Sequence, residues 1–497
     1  MAVGVTAPAE RSDRSGTHTA LLLGIIALAI VLRFWRLGDW GFDSDEIFML
    51  RDSIDIRPRN PRPLMYLLNH YLVGLFLPLD EFGLRVLPAL FGVLGIPVFY
   101  LVARRLVGAR AALFGAFLLA TSGLHVYYSQ FARYWTLVFM LCAVYPYAIY
   151  LGFRERNRPL LLLGIATAGL AALAHPASVL PAGGLAIWLL ATYARRTRPE
   201  RLWRERSVRW GLLVLVILAA AAGVRFIPLL RAWIVQRDTI PRGEFLLHLP
   251  VTPGVKQALY LSAYVESLSL ALALTGILGI YLLWQRRDRS LAVLLACMFI
   301  FPVAFLVLLS FRTPVSTFYL VPTLPIMFIG AGVLLDHLAS VDWGLRPRWL
   351  LSFVLAVLII AAGAPTLISQ YRDGRRYDFR GAAQWLQKRM APGDVIYSDQ
   401  AEVTTHYLAG AQAQRLVADP QLLTQSVRRL KQSGASLWII APYSAQGGHR
   451  TNPRLGGLKA WIYDNCRLRH VVGVARLDFR VNELQVYQCP GRPIGTS

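Results

Sequence analysis

Residues 19–32 read TALLLGIIALAIVL and end against Arg33, with Arg36 close behind. The acidic segment Gly41-Phe42-Asp43-Ser44-Asp45-Glu46 follows. An unbroken apolar run closed by arginine reads as a membrane helix. No small-residue cleavage site follows it, so it reads as a retained first span and not as a signal peptide. Comparable runs recur at 84–103, 111–127, 134–153, 159–173, 175–194, 208–226, 263–284, 290–309, 316–337 and 347–368, about 11 in all with the first.

Composition agrees. Of 497 residues, 56% are hydrophobic and 16% charged, against about 25% charged in a soluble domain. An ordinary soluble enzyme, a disordered chain and a secreted disulfide scaffold are excluded. The formal charge of +24 comes almost wholly from Arg, since Lys occurs only at 256, 388, 431 and 459. In a membrane protein such an excess marks cytoplasmic loops beside anionic lipid more readily than nucleic-acid binding. The Arg clusters at 104–110, 154–158, 195–209, 286–289 and 346–348 fall in alternate connections, as cytoplasmic loops must. An odd number of spans then places the amino terminus inside and the carboxy terminus outside.

The expected architecture is an all-α polytopic membrane protein with a small C-terminal α/β extracytoplasmic domain. Residues 1–18 form a disordered cytoplasmic tail, 19–368 the membrane domain with outer loops 37–83 and 226–262, and 369–497 the outer domain. That last domain reads as helices over 379–390 and 420–432 and strands over 394–398, 436–442, 467–477 and 483–488. Leu64–Leu77 is too short to span and reads as an interfacial or re-entrant helix. Cys142 and Cys297 read as packing residues. Cys466 and Cys489 lie in the tail, where an extracytoplasmic location would permit pairing. No spacing fits a zinc or iron–sulfur site.

Three groups of residues carry candidate chemistry. Asp43, Asp45 and Glu46 place three carboxylates in four residues, which suits a base with its support, a divalent cation, or a plain solvated loop. The aromatic turn Tyr127-Tyr128-Ser129-Gln130-Phe131-Ala132-Arg133-Tyr134-Trp135 contains one guanidinium, which either snorkels to headgroups or binds an anion. His70 and His175 sit in or beside apolar stretches, each as packing residue or ligand. Arg237 and Arg242 lie in a basic outer loop that breaks the charge trend and suits an anion.

These residues resemble the membrane glycosyltransferases of the GT-C fold, in the branch of protein O-mannosyltransferases and aminoarabinose transferases. Four features match in order: the acidic pair Asp45-Glu46, the segment Arg85-Val86-Leu87-Pro88-Ala89-Leu90-Phe91-Gly92, the segment Tyr127 to Tyr134, and Tyr319-Leu320-Val321-Pro322-Thr323-Leu324-Pro325. The resemblance covers about 19–370. It implies an inverting transfer of sugar from a polyprenyl phosphate donor to an acceptor hydroxyl of a glycan, lipid or protein, on the outer face of the bacterial cytoplasmic membrane. It implies Asp45 and Glu46 as catalytic carboxylates. Substrate-binding roles fall to Asp43, His70, Tyr128, Arg133, Tyr134, His175, Arg237, Arg242 and Tyr319. Where the family usually has Glu two residues before its Arg, this chain has Phe131, and Asp43 is the residue to replace it. No cofactor is required by the sequence, and a divalent cation at Asp45 and Glu46 stays open. Membrane lipid is a partner and nucleic acid is not. The competing readings are a lipid-linked glycan flippase and a non-catalytic envelope assembly protein.

Overall fold

The computed structural model describes residues 8–56, 62–194, 268–285, 288–310, 317–341, 349–417, 419–442, 453–473 and 483–489. The helices are α1 (Pro8–Phe34), α2 (Ser44–Ile54), α3 (Pro63–Leu68), α4 (Glu81–Val107), α5 (Ala109–Thr121), α6 (Gly123–Ser129), α7 (Trp135–Cys142), α8 (Tyr145–Arg154), α9 (Arg158–Ala174) and α10 (Leu180–Ala194). They continue with α11 (Leu270–Gln285), α12 (Arg289–Ser310), α13 (Leu324–Ser340), α14 (Leu350–Asp373), α15 (Phe379–Gln387), α16 (Ala401–Tyr407), α17 (Pro420–Ser433) and α18 (Pro453–Asn465). The strands are β1 (Val395–Ser398), β2 (Ala413–Arg415), β3 (Leu437–Pro442), β4 (Arg467–Val472) and β5 (Leu484–Cys489).

Among the described residues, six helices are long and apolar enough to cross a membrane: Gly16–Phe34, Glu81–Val107, Trp135–Arg154, Arg289–Leu309, Phe318–Ser340 and Leu350–Asp373. The pair α5 and α6, bent by 60°, makes a broken seventh, and Arg158–Ala174, Pro176–Thr192 and Leu270–Gln285 are shorter apolar helices. Each coincides with an apolar run of the sequence. The remaining run, 208–226, lies outside the described residues, as does the loop 226–262.

The chain forms two compact units. The first comprises the described residues up to Leu37 and from Ile56 to Leu367. Its helices cannot be driven together by burying leucine, because lipid is as apolar as leucine. Close backbone contact does the work instead. A Cβ on Gly279 of α11 would overlap the Gly330 carbonyl oxygen of α13. On α13, a Cβ on Gly332 would overlap the Ala111 carbonyl oxygen of α5.

At the break between α5 and α6, backbone carbonyls lose their helical donors. Arg33, fully buried near the end of α1, supplies replacements. It donates to Leu119 O at 3.3 Å, to Ala120 O at 3.0 Å and to Nδ1 of His125 at 2.9 Å. Gln130 in turn donates to Arg33 O and Trp35 O beyond the end of α1. The stretch Leu64–Leu77, expected as an interfacial or re-entrant helix, contains α3 followed by one π-helical turn, Asn69–Val73.

The second unit comprises Gly38–Asp55 and the described residues from Ile368 onward. The sequence reading places residues 38–55 within outer loop 37–83 of the membrane domain, whereas the structure groups them with the tail. The tail holds a five-stranded sheet in the order β2-β1-β3-β5-β4. β2, β1 and β3 are parallel, and β5 pairs antiparallel with both β3 and β4. Every residue of β3 is buried, as a central strand covered on both faces requires. The core around it includes Tyr397, Leu423, Ile439, Ile462 and Tyr487. Cys466 and Cys489, at the paired ends of β4 and β5, form a disulfide. Helical patterns are expected to fill the gaps between the strands, where α16 and α18 lie; β2 is an addition to what the sequence pattern predicts.

Candidate functional site

The acidic segment opens a helix. Asp43 is the N-cap of α2, its side chain accepting from Asp45 N, and Glu46 Oε2 accepts from Asp43 N at 2.9 Å. This reciprocal capping box satisfies amides that the first turn leaves orphaned. Asp45 takes no part in it through its carboxylate. That side chain sits half-exposed on the first turn, while Glu46 is fully buried. The helix N-terminus also favours negative charge here.

The rest of the second unit fixes this segment. Arg376 Nη1 reaches Glu46 Oε2 at 2.5 Å and the Gly41 carbonyl at 3.4 Å. The Phe42 amide donates to Tyr407 Oη at 2.6 Å, and the Phe42 ring meets His406 edge-on. Arg380 donates to the Asp39 carbonyl. Burial holds the Asp43 carboxyl above its ordinary range, Asp45 and Glu46 push it the same way, and Arg376 opposes them.

A second cluster lies in the first unit. The His175 ring stacks on Tyr134 with centroids 4.5 Å apart and on Tyr319 at 5.7 Å, and Trp135 leans on it at 4.7 Å. His175 Nδ1 accepts from the Ala177 amide at 3.0 Å. The neutral ring therefore carries its proton on Nε2. That nitrogen is buried and has no hydrogen-bond partner among the described residues. Arg62 donates to Tyr134 Oη at 2.9 Å, and the guanidinium of Arg133 lies 5.3 Å from the Tyr134 ring centroid. Two guanidinium groups, a tyrosine hydroxyl and an unmatched N–H thus gather around one aromatic platform. Such a donor set suits a phosphate.

The structure thus brings together Arg133, Tyr134, His175 and Tyr319, with Tyr128 touching the platform through Trp135 at 6.1 Å. Phe131 stacks on Tyr127 at 5.4 Å, an apolar packing role at the position where the family usually has Glu. Asp43, Asp45 and Glu46 stand together in the second unit. His70 sits on the π-helical turn with its ring edge-on to Tyr71 at 4.6 Å. Arg237 and Arg242 lie outside the described residues. Sequence reasoning missed Arg62, Arg376 and Tyr407. For Arg376 the signal was present: Arg372-Asp373-Gly374-Arg375-Arg376 is a basic run at the end of the last apolar helix.

A divalent ion at the carboxylates would need free oxygens in a convergent set. Among the described residues no group of three or more His, Cys, Asp or Glu is placed to hold a metal. Glu46 spends one oxygen on both a guanidinium and an amide. These residues do not fit a divalent ion.

Residues 61–226 match the family model described as dolichyl-phosphate-mannose-protein mannosyltransferase. A sequence search of the curated proteins finds no match. Among solved structures, ArnT from Cupriavidus metallidurans superposes with a TM-score of 0.57 at 17% identity, covering 95% of this chain and 98% of its own, in apo form and bound to undecaprenyl phosphate. The chain has the GT-C fold. The archaeal oligosaccharyltransferase AglB from Archaeoglobus fulgidus, solved with an inhibitory peptide and a dolichol-phosphate, shares that fold at a TM-score of 0.56 and 13% identity, over 86% of this chain and 70% of its own. The mycobacterial arabinofuranosyltransferase AftD does so at 0.50 and 16% identity, over 94% of this chain and 40% of its own.

Proposed function

We propose that this GT-C chain is an inverting glycosyltransferase that moves a sugar from a polyprenyl phosphate to an acceptor hydroxyl outside the cytoplasmic membrane. The observation that carries the reading is the donor cluster of Arg62, Arg133, Tyr134 and His175 Nε2–H, which matches a lipid phosphate in charge and hydrogen-bonding sense. The undecaprenyl phosphate bound by ArnT supports the same ligand class. Asp45 is the carboxylate of the acidic segment whose side chain takes no part in the capping box, and it acts as general base. It takes the acceptor's O–H proton as that oxygen bonds to the anomeric carbon. The bond from that carbon to the phosphate oxygen breaks, and its electron pair leaves on the phosphate. A single displacement inverts the anomeric carbon. The acceptor is a glycan, lipid or protein. The amino terminus lies inside and the tail outside, as the alternate Arg-rich loops require.

Purified protein, incubated with radiolabelled lipid extract and envelope acceptor, is expected to release label from the polyprenyl phosphate. Asp45→Asn is expected to slow that release by about 10²–10⁴. Equal turnover by wild type and variant removes Asp45 as the base. Lipid movement across vesicles without transfer would instead favour the flippase.

A further inference from the structure

Three carboxylates within four residues repel one another, and the repulsion grows as they are buried. Glu46 is fully buried, Asp43 half so, and α2 presents them on one turn. A counter-cation offsets that repulsion, and the structure supplies one covalently in Arg376. Arg376 is 5% exposed. Its Nη1 lies 2.5 Å from Glu46 Oε2 and 3.4 Å from the Gly41 carbonyl, and its Nε donates to the Gly374 carbonyl at 3.1 Å.

The turn that delivers Arg376 is built for that purpose. Gly374 follows the last residue of α14 with φ +65°, and its amide donates to Gln370 O. Arg375 also has a positive φ, +54°, and its amide is held by Asp373 Oδ1 at 2.9 Å. Two consecutive left-handed residues reverse the chain. The Trp40 ring fills the space where a Cβ on Gly374 would lie, 2.5 Å away. A divalent ion at the acidic segment would recruit oxygens of this kind, a carboxylate and a backbone carbonyl. Here both already face a guanidinium.

We propose that Arg376 is a built-in cation standing in place of a divalent metal at the acidic segment. It is a positioning residue: it anchors Glu46 as a buried carboxylate and sets the first turn of α2, from which Asp45 acts. Only the last clause rests on the glycosyltransferase reading; the charge substitution stands without it.

The test uses the full-length protein in detergent, titrated with Mn²⁺ and followed by electron paramagnetic resonance. Wild type is expected to take up no stoichiometric Mn²⁺ up to about 1 mM. Arg376→Gln is expected to bind one equivalent at least tenfold more tightly than wild type, and Asp45→Asn in that background to abolish the binding. Arg376→Lys restores a positive charge and is expected to exclude Mn²⁺ again. In the transfer assay, prior chelation is expected to leave wild-type turnover unchanged, with Arg376→Gln slowed at least tenfold and Arg376→Lys partly rescued. One equivalent of Mn²⁺ on wild type, lost in Asp45→Asn, overturns the proposal whether or not any variant folds. So does loss of wild-type transfer on chelation, or Arg376→Gln that neither binds Mn²⁺ nor slows. If wild type transfers no sugar, the glycosyltransferase reading fails and the Mn²⁺ titration still decides this one.

Discussion

Asp43 is both a helix cap and the carboxyl that burial and two neighbours hold above its ordinary range. A carboxyl raised in the folded state favours folding only while protonated. Its contribution is fully present below the ordinary carboxylate range and is lost as pH rises through the folded value. Asn caps a helix about as well as Asp. Asp43→Asn is therefore expected to melt no lower than wild type at pH 7, with any gain shrinking toward pH 4, in thermal scans across that range. A clear loss of stability at pH 7 would mean that the negative charge itself is needed. His175 makes the complementary case. With Nδ1 fixed by the Ala177 amide, only Nε2–H is left to donate. Truncation to Ala is expected to weaken undecaprenyl phosphate binding about tenfold, the worth of one hydrogen bond to a charged group, read by displacement of a labelled lipid. At this scale much was legible. Asp43, Asp45, Glu46, Arg133, Tyr134, His175 and Tyr319 are all recognisable as unusual residues beside apolar runs. The division of labour among the carboxylates was also within reach, because Asp43-Ser44-Asp45-Glu46 is the capping-box spacing and separates Asp43 and Glu46 from Asp45. Arg62 and Tyr407 were not, since only tertiary packing brings them to their partners.

Among elements, the apolar helices were the most legible part of the chain, because hydrophobic length is a one-dimensional property. The bend between α5 and α6 was not. It depends on Arg33, eighty-seven residues from Ala120, replacing the hydrogen bonds that the break removes. The crossing of α11 and α13 was equally hidden, though Gly276, Gly279 and Gly330 were plain in the sequence. Small residues permit close approach without saying what approaches. Gly279→Ala is expected to destabilise the helical unit by about 2 kcal/mol or more, in the range of overpacked cores, because its methyl would overlap the Gly330 carbonyl oxygen. Thermal scans of the detergent-solubilised protein would show it. Gly169, where an added methyl would have nothing within 4 Å, is the control: Ala there is expected to be neutral or slightly stabilising through helix propensity. Similar melting of the two variants would show that the crossing is looser than the backbone distances indicate.

For the whole molecule, the α/β tail and the arginine distribution bear on the same question of sidedness. β4 and β5 are paired neighbours, Arg467 opposite Gln488, and the disulfide between Cys466 and Cys489 closes a loop of 23 residues at their ends. Closing such a loop restricts the unfolded chain and stabilises by about 3 kcal/mol. Disulfides persist outside the cytoplasm and are rare within it. Under the proposed topology the Arg-rich connections at 104–110, 154–158 and 286–289 lie on the cytoplasmic side, a reading with an independent physical basis, attraction to anionic lipid. The two arguments agree only if the tail is outside. In intact spheroplasts, single cysteines placed in the tail surface at Gln421 or Lys459 should react with a membrane-impermeant maleimide, while one placed at Arg156 should react only after lysis. In the same full-length protein, replacing both Cys466 and Cys489 by Ser is expected to make the tail markedly more sensitive to added protease, with the helical unit left intact. Labelling at Arg156 in unlysed cells would invert the topology, and it would then leave the disulfide without an oxidising compartment to maintain it.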